Sequence, residues 1–116
     1  YVNESYGEYL LAFDVQSDGT VRNRRNFGKY EIPDTLQTGP EVQVADGLTV
    51  DDAGRVYTTT SFVPWVQVFS PQGQSLGTIP LSRGGQNLTF AGPDKKTLYV
   101  VGGGYAFKIP MLARGM

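Results

Sequence analysis

Two stretches of this chain are copies of one another, and a repeat of this length leaves few folds open. The first copy reads Gly47-Leu48-Thr49-Val50-Asp51-Asp52-Ala53-Gly54-Arg55-Val56-Tyr57-Thr58. The second reads Asn87-Leu88-Thr89-Phe90-Ala91-Gly92-Pro93-Asp94-Lys95-Lys96-Thr97-Leu98-Tyr99-Val100. Each runs Leu-Thr-apolar, then an acidic glycine-containing turn, then a basic residue, then apolar-Tyr. The copies are offset by about 40 residues at the Leu-Thr pair and about 42 at the Tyr. The segments downstream of each Tyr also correspond: Val66-Gln67-Val68-Phe69-Ser70-Pro71-Gln72-Gly73 after Tyr57, and Tyr105-Ala106-Phe107-Lys108-Ile109-Pro110 after Tyr99. Leu10-Leu11-Ala12-Phe13-Asp14-Val15-Gln16-Ser17-Asp18-Gly19 after Tyr1 makes a third partial copy. Tyr1, Tyr57 and Tyr99 are therefore expected at one structural position in three successive units.

The unit is built of strands. Short runs rich in Val, Tyr, Phe, Thr and Leu alternate with Ser17-Asp18-Gly19, Asp52-Ala53-Gly54, Pro71-Gln72-Gly73 and Gly92-Pro93-Asp94. Glycine supplies positive φ, proline presets φ, and Asp or Ser closes a turn through its side chain. No window holds a 3.6-residue apolar period long enough for a helix, and 15 glycines and 7 prolines oppose one. A strand-built unit of about 40 residues is the size of a four-stranded β-propeller blade. The fold expected is all-β, a partial propeller of about two and a half four-stranded antiparallel blades, forming one incomplete domain over 1–116. With strands lettered A to D outwards from the channel, 1–5, 9–16 and 22–30 are B to D of a first blade. Residues 46–51, 54–60, 65–70 and 75–81 are A to D of a complete one, and 86–91, 97–101 and 105–109 are A to C of a third. Gly102-Gly103-Gly104 is a tight B–C turn, since neither a helix nor a Lys-Ser/Thr pair comes after it as in a phosphate loop. Residues 31–45 cross from an outer strand to the next inner one, near the channel mouth, where function concentrates.

Residue types narrow the chemistry. With no Cys and no His, the chain holds no Ser–His–Asp triad, Cys nucleophile, His-ligated zinc or structural zinc site. The lack of Cys fits a reducing compartment, and a cytoplasmic location is expected. A net charge of −1 gives no footprint for nucleic acid, and no apolar run is long enough to span a membrane. The one basic cluster, Arg22, Arg24 and Arg25 with Lys29 beyond, reads as a solvated outer strand. The chain opens at Tyr1 on what reads as the middle of a strand, so a longer parent protein is expected.

The order of motifs resembles the SMP-30/gluconolactonase/regucalcin-like family, in its C-terminal part. The resemblance runs through Leu10-Leu11-Ala12-Phe13-Asp14-Val15, then Asp18-Gly19-Thr20-Val21-Arg22-Asn23-Arg24-Arg25-Asn26-Phe27, then Ala45-Asp46-Gly47-Leu48-Thr49-Val50-Asp51. It continues through Gly54-Arg55-Val56-Tyr57, Leu76-Gly77-Thr78-Ile79-Pro80 and Lys96-Thr97-Leu98-Tyr99-Val100. The most specific piece is Val21-Arg22-Asn23-Arg24-Arg25 followed about twenty residues later by Asp46-Gly47. The resemblance implies a six-bladed propeller with one divalent metal, calcium or zinc, held in the channel by oxygen ligands, and hydrolysis of a sugar lactone or another ester. Only one ligand carries over. Asp46 matches the family's metal-binding and catalytic Asp, with Ala45 in place of the usual Pro, and the Glu and Asn ligands are expected before Tyr1.

Three further residues are candidates for a substrate rim. Asn87 opens an inner strand and is either channel-facing or an ordinary strand-start Asn. Phe62 and Trp65 either line the rim or, for Trp65, pack between blades. Asn3, Glu4 and Ser5 read as loop-forming. Three functional readings stand together: a piece of a metal-dependent lactonase, inactive alone; a non-catalytic propeller module that binds a small molecule or protein; and an orphan fragment that self-assembles. Two and a half blades leave apolar faces and strand edges uncovered, so either the missing blades or self-association is expected to cover them.

Overall fold

The structure is a computed structural model that describes residues 1–36 and 42–116; residues 37–41 of the expected crossing lie outside the described residues. Ten strands fall where the alternating runs predict them. They are β1 (Val2–Asn3), β2 (Tyr9–Val15), β3 (Val21–Lys29), β4 (Leu48–Val50), β5 (Val56–Thr59), β6 (Trp65–Phe69), β7 (Ser75–Pro80), β8 (Asn87–Ala91), β9 (Thr97–Gly102) and β10 (Tyr105–Pro110). Among the described residues the only helix is a single 3-10 turn, Asp34–Leu36.

The strands form three antiparallel sheets, β1-β2-β3, β4-β5-β6-β7 and β8-β9-β10, each laid down in chain order. The two copies of the repeat have the same register. Thr49 pairs with Tyr57 and Thr89 with Tyr99. A one-residue slip turns every side chain to the other face, so this agreement puts equivalent residues on equivalent faces. The turns are those the punctuation promised. Gly103 and Gly104 sit at φ 56 and 79 between the paired ends Gly102 and Tyr105, the left-handed pair that a two-residue hairpin turn needs.

The middle sheet is covered on both faces, and β5 is buried at every residue. Its alternation divides two cores. Val56 and Phe69 point to the first sheet, where they meet Leu10, Tyr30 and Ala45. Tyr57 and Val66 point to the third, where they meet Leu88, Leu98 and Val100. Gly28 lets the first sheet approach closely, since a Cβ there would stand 2.5 Å from the Phe69 ring. Gln67, fully buried, ties the same two sheets: its oxygen accepts the Glu31 N–H at 2.9 Å and its amide donates to the Lys29 carbonyl at 3.2 Å.

The arginine cluster lies on β3, the outer edge of the first sheet, with Val21–Asn26 exposed. Arg25 pairs with Asp14 at 2.8 Å and Arg24 with Glu4 at 3.5 Å. A bulge at Asn23 (φ 54) sets Asn23 and Arg24 opposite the single residue Phe13. Charge and a bulge on an edge strand both discourage pairing with another chain.

Candidate functional site

The three sheets bring their inner ends together around Asp46-Gly47. This dipeptide precedes β4, and its ladder with β5 continues past the strand proper: Asp46 N–H donates to the Thr59 carbonyl at 2.9 Å and Thr59 N–H to the Gly47 carbonyl at 3.0 Å. From the third sheet, the Gln86 carbonyl accepts the Gly47 N–H at 2.8 Å. From the first, the Asn3 amide donates to both carbonyls, at 2.7 Å to Asp46 and 3.0 Å to Gly47. All four backbone polar groups of the pair are thus bonded. Gly47 is required by close approach, because a Cβ there would lie 2.5 Å from Asn87 Oδ1 and 2.7 Å from Asn87 Cα.

The Asp46 side chain is left nearly unengaged. The residue is exposed, and among the described residues its carboxylate has one long contact, from the Ser61 hydroxyl at 3.4 Å. A carboxylate on a backbone held from three sides offers oxygen atoms of the kind that hard divalent cations take. The donor set is right in kind and short in number. Asn87 uses its side-chain oxygen on the Leu88 N–H at 2.8 Å. Among the described residues no three Asp, Glu, His or Cys side chains come together. A calcium ion takes six to eight oxygens, and the described residues do not by themselves assemble such a set around Asp46.

The other candidates divide. Asn87 lies beside Asp46-Gly47, at the inner end of the third sheet. Phe62 is 56% exposed in the β5–β6 loop, the same loop that carries Ser61 to Asp46. Trp65 begins β6, two strands outwards from β4 in the same sheet. It lines a cavity of about 680 Å³ together with Tyr6, Lys29, Tyr30, Ile32 and Val44. That cavity is walled by the β1–β2 loop, the segment that follows β3, and Trp65, and Asp46 is not among its walls.

Two features carry no clear signal in the sequence. Asn3, which reads there as loop-forming, ends β1 and reaches across to residues 43 and 44 positions away. Its own oxygen accepts the Tyr30 hydroxyl at 2.9 Å. Burial pushes the Tyr30 phenol well above its ordinary value, so it stays a donor. The second feature is Asp51, fully buried at the other end of β4. Its Oδ1 accepts the N–H groups of Ala53 and Arg55 at 3.0 and 2.9 Å. Its Oδ2 accepts Arg55 Nε at 2.6 Å and the Tyr57 hydroxyl at 2.9 Å. Burial works to raise the Asp51 pKa, but the Arg55 backbone and side chain and the Tyr57 hydroxyl together outweigh it and hold it below the usual carboxylate value. Burial and the bond to Asp51 push Tyr57 up to about 12.

Solved structures share this fold over part of their length. A luciferin-regenerating enzyme superposes with a TM-score of 0.75 at 18% identity, over 94% of this chain and 40% of its own. A gluconolactonase from Xanthomonas campestris superposes at 0.64 with 27% identity, over 88% of this chain and 30% of its own. A gluconolactonase candidate superposes at 0.71 with 22% identity, over 94% and 33%. The chain thus spans 30–40% of the length of these structures, which fits three sheets of a partial propeller. Residues 1–103 match the SMP-30/gluconolactonase/LRE-like region, and the chain belongs to that family.

Proposed function

We propose that this chain is the part of a divalent-metal-dependent sugar-lactone hydrolase that supplies the Asp46 carboxylate to the channel, and that it is inactive without the remaining blades. The observation that carries this reading is the exposed Asp46 side chain, with one long contact among the described residues, on a backbone fully bonded to three sheets. A carboxylate so placed costs the fold nothing when it ligates, because no protein hydrogen bond of consequence is given up. Bound there, calcium or zinc would polarise a lactone carbonyl or lower the pKa of a water. In this reading the chain's own residues fix the position of Asp46, present Asn87 beside it, and leave Phe62 at the solvent side of the same mouth for contact with a sugar-sized lactone or ester.

The test is a titration of calcium and of zinc into the complete ring that contains this chain. One saturable site is expected, weakened at least about 100-fold by Asp46→Ala, with hydrolysis of a sugar lactone lost in parallel. Binding that Asp46→Ala leaves unchanged, or no binding of either cation, defeats the reading.

A further inference from the structure

We infer that Asn3, oriented by Tyr30, is the positioning residue for Asp46, a clasp from the neighbouring sheet that fixes the Asp46-Gly47 backbone and so aims the free carboxylate. The inference rests on the reading of Asp46 as a ligand, and it concerns residues that make no contact with the Asp46 side chain.

The geometry leaves little freedom. Both donors of the Asn3 amide are used, on two consecutive carbonyls at 2.7 and 3.0 Å, and its oxygen is used by Tyr30 at 2.9 Å. Two donors on one atom with an acceptor beside them are the property of a carboxamide. A serine at this position has one donor, and an aspartate sets negative charge against two carbonyl oxygens. The two carbonyls can only accept and so settle which end of the amide faces them, and the Tyr30 hydroxyl donates to the oxygen that is left. Tyr30 is itself immobilised: it is 4% exposed, its ring meets Phe69 edge-on at 6.3 Å, and its N–H donates to the Glu8 carbonyl at 3.0 Å. The same β1–β2 loop also takes the Val44 N–H on the Ser5 carbonyl at 2.7 Å, two residues before Asp46. The first sheet thus holds residues 44, 46 and 47, although it pairs with no strand of the second sheet. Residues that orient a metal ligand through a second layer of hydrogen bonds typically tune affinity about 10–100-fold.

Three variants in the complete ring decide the matter: Tyr30→Phe, which removes one oxygen and keeps the packed ring; Asn3→Asp, which replaces the donating nitrogen by an acceptor oxygen; and Asp46→Ala as the reference. Two quantities are read, the dissociation constant for Ca²⁺ and the hydrogen-exchange rates of the Asp46 and Gly47 amides without metal. The expected result is a roughly 10-fold weaker Ca²⁺ constant in Asn3→Asp, a smaller loss in Tyr30→Phe, and faster exchange at Asp46 and Gly47 with β6 amides unchanged. If Asp46→Ala abolishes binding while the other two alter neither quantity, the clasp is wrong and the ligand reading stands. If Asp46→Ala has no effect on Ca²⁺, the ligand reading is wrong and exchange at Gly47 alone decides the clasp. Faster exchange throughout the molecule overturns it too, since Asn3 would then be merely structural. Should Asn3→Asp fail to fold, Tyr30→Phe carries the test by itself.

Discussion

Asp46 and Asp51 flank the same three-residue inner strand, β4, one before it and one after it, and their surroundings are opposite. Asp51 is fully buried and receives four hydrogen bonds, one of them part of an ion pair with Arg55. The chain's last residues close over this end. Gly115 bridges Asp51, and the Asp52 N–H donates to the Arg114 carbonyl at 2.7 Å. At the other end the backbone of Asp46 is fully bonded and its carboxylate is exposed, with one long contact among the described residues. A buried charge is tolerable only when its lone pairs are filled by donors, and a filled carboxylate has none left for a ligand. The closed end therefore holds the fold, and the open end is available for chemistry.

The contrast fails if the two carboxylates respond alike to removal. Asp51→Ala should cost about 3 kcal/mol in urea unfolding, because it strands the donors of Arg55 and Tyr57. Asp46→Ala should stay within about 0.5 kcal/mol. The next effect is at the same closed end. A Cβ on Gly115 would stand 2.2 Å from Phe90 Cβ, so Gly115→Val should cost about 1–3 kcal/mol by overpacking. Single hydroxyls probe the two ends more finely. Tyr57→Phe takes one bond from a charged acceptor and should cost about 1–2 kcal/mol, whereas Ser61→Ala, which loses only the long contact to Asp46, should be silent. The smallest effect is in pH. Asp51 has its native pKa below the unfolded value, so its contribution is complete above the ordinary carboxylate pKa and is lost as pH falls through the native one. Asp51→Asn should flatten the acid side of the stability curve over that interval.

The strands and their sheet order are legible in the sequence because they are local. Alternation and turn glycines place β2, β3 and β5 to β10 within a few residues, and the Leu-Thr repeat gives the register that pairs Thr49 with Tyr57 and Thr89 with Tyr99. Asp51 is half legible: Asp51-Asp52-Ala53-Gly54-Arg55 announces a turn, but its complete burial depends on Tyr57 across the hairpin and on Gly115 far along the chain. Asn3 is not legible. Its partners are 27, 43 and 44 residues away on other elements, and a short polar residue at a strand end has the same sequence signature whether it closes a loop or clasps a neighbouring sheet. The placement of Trp65 shows the same limit. Pro64 and the alternating run mark it as the start of β6, yet only the packing of the β1–β2 loop and the segment after β3 around it shows the cavity it lines.

The most direct test of the division between the two ends is carbon-13 NMR of the aspartate carboxyl groups in the complete ring, followed as Ca²⁺ is added to saturation. The Asp46 carboxyl resonance should shift with a saturable profile while that of Asp51 stays fixed. An Asp46 resonance that does not move at saturating metal, or an Asp51 resonance that moves with it, would refute the division.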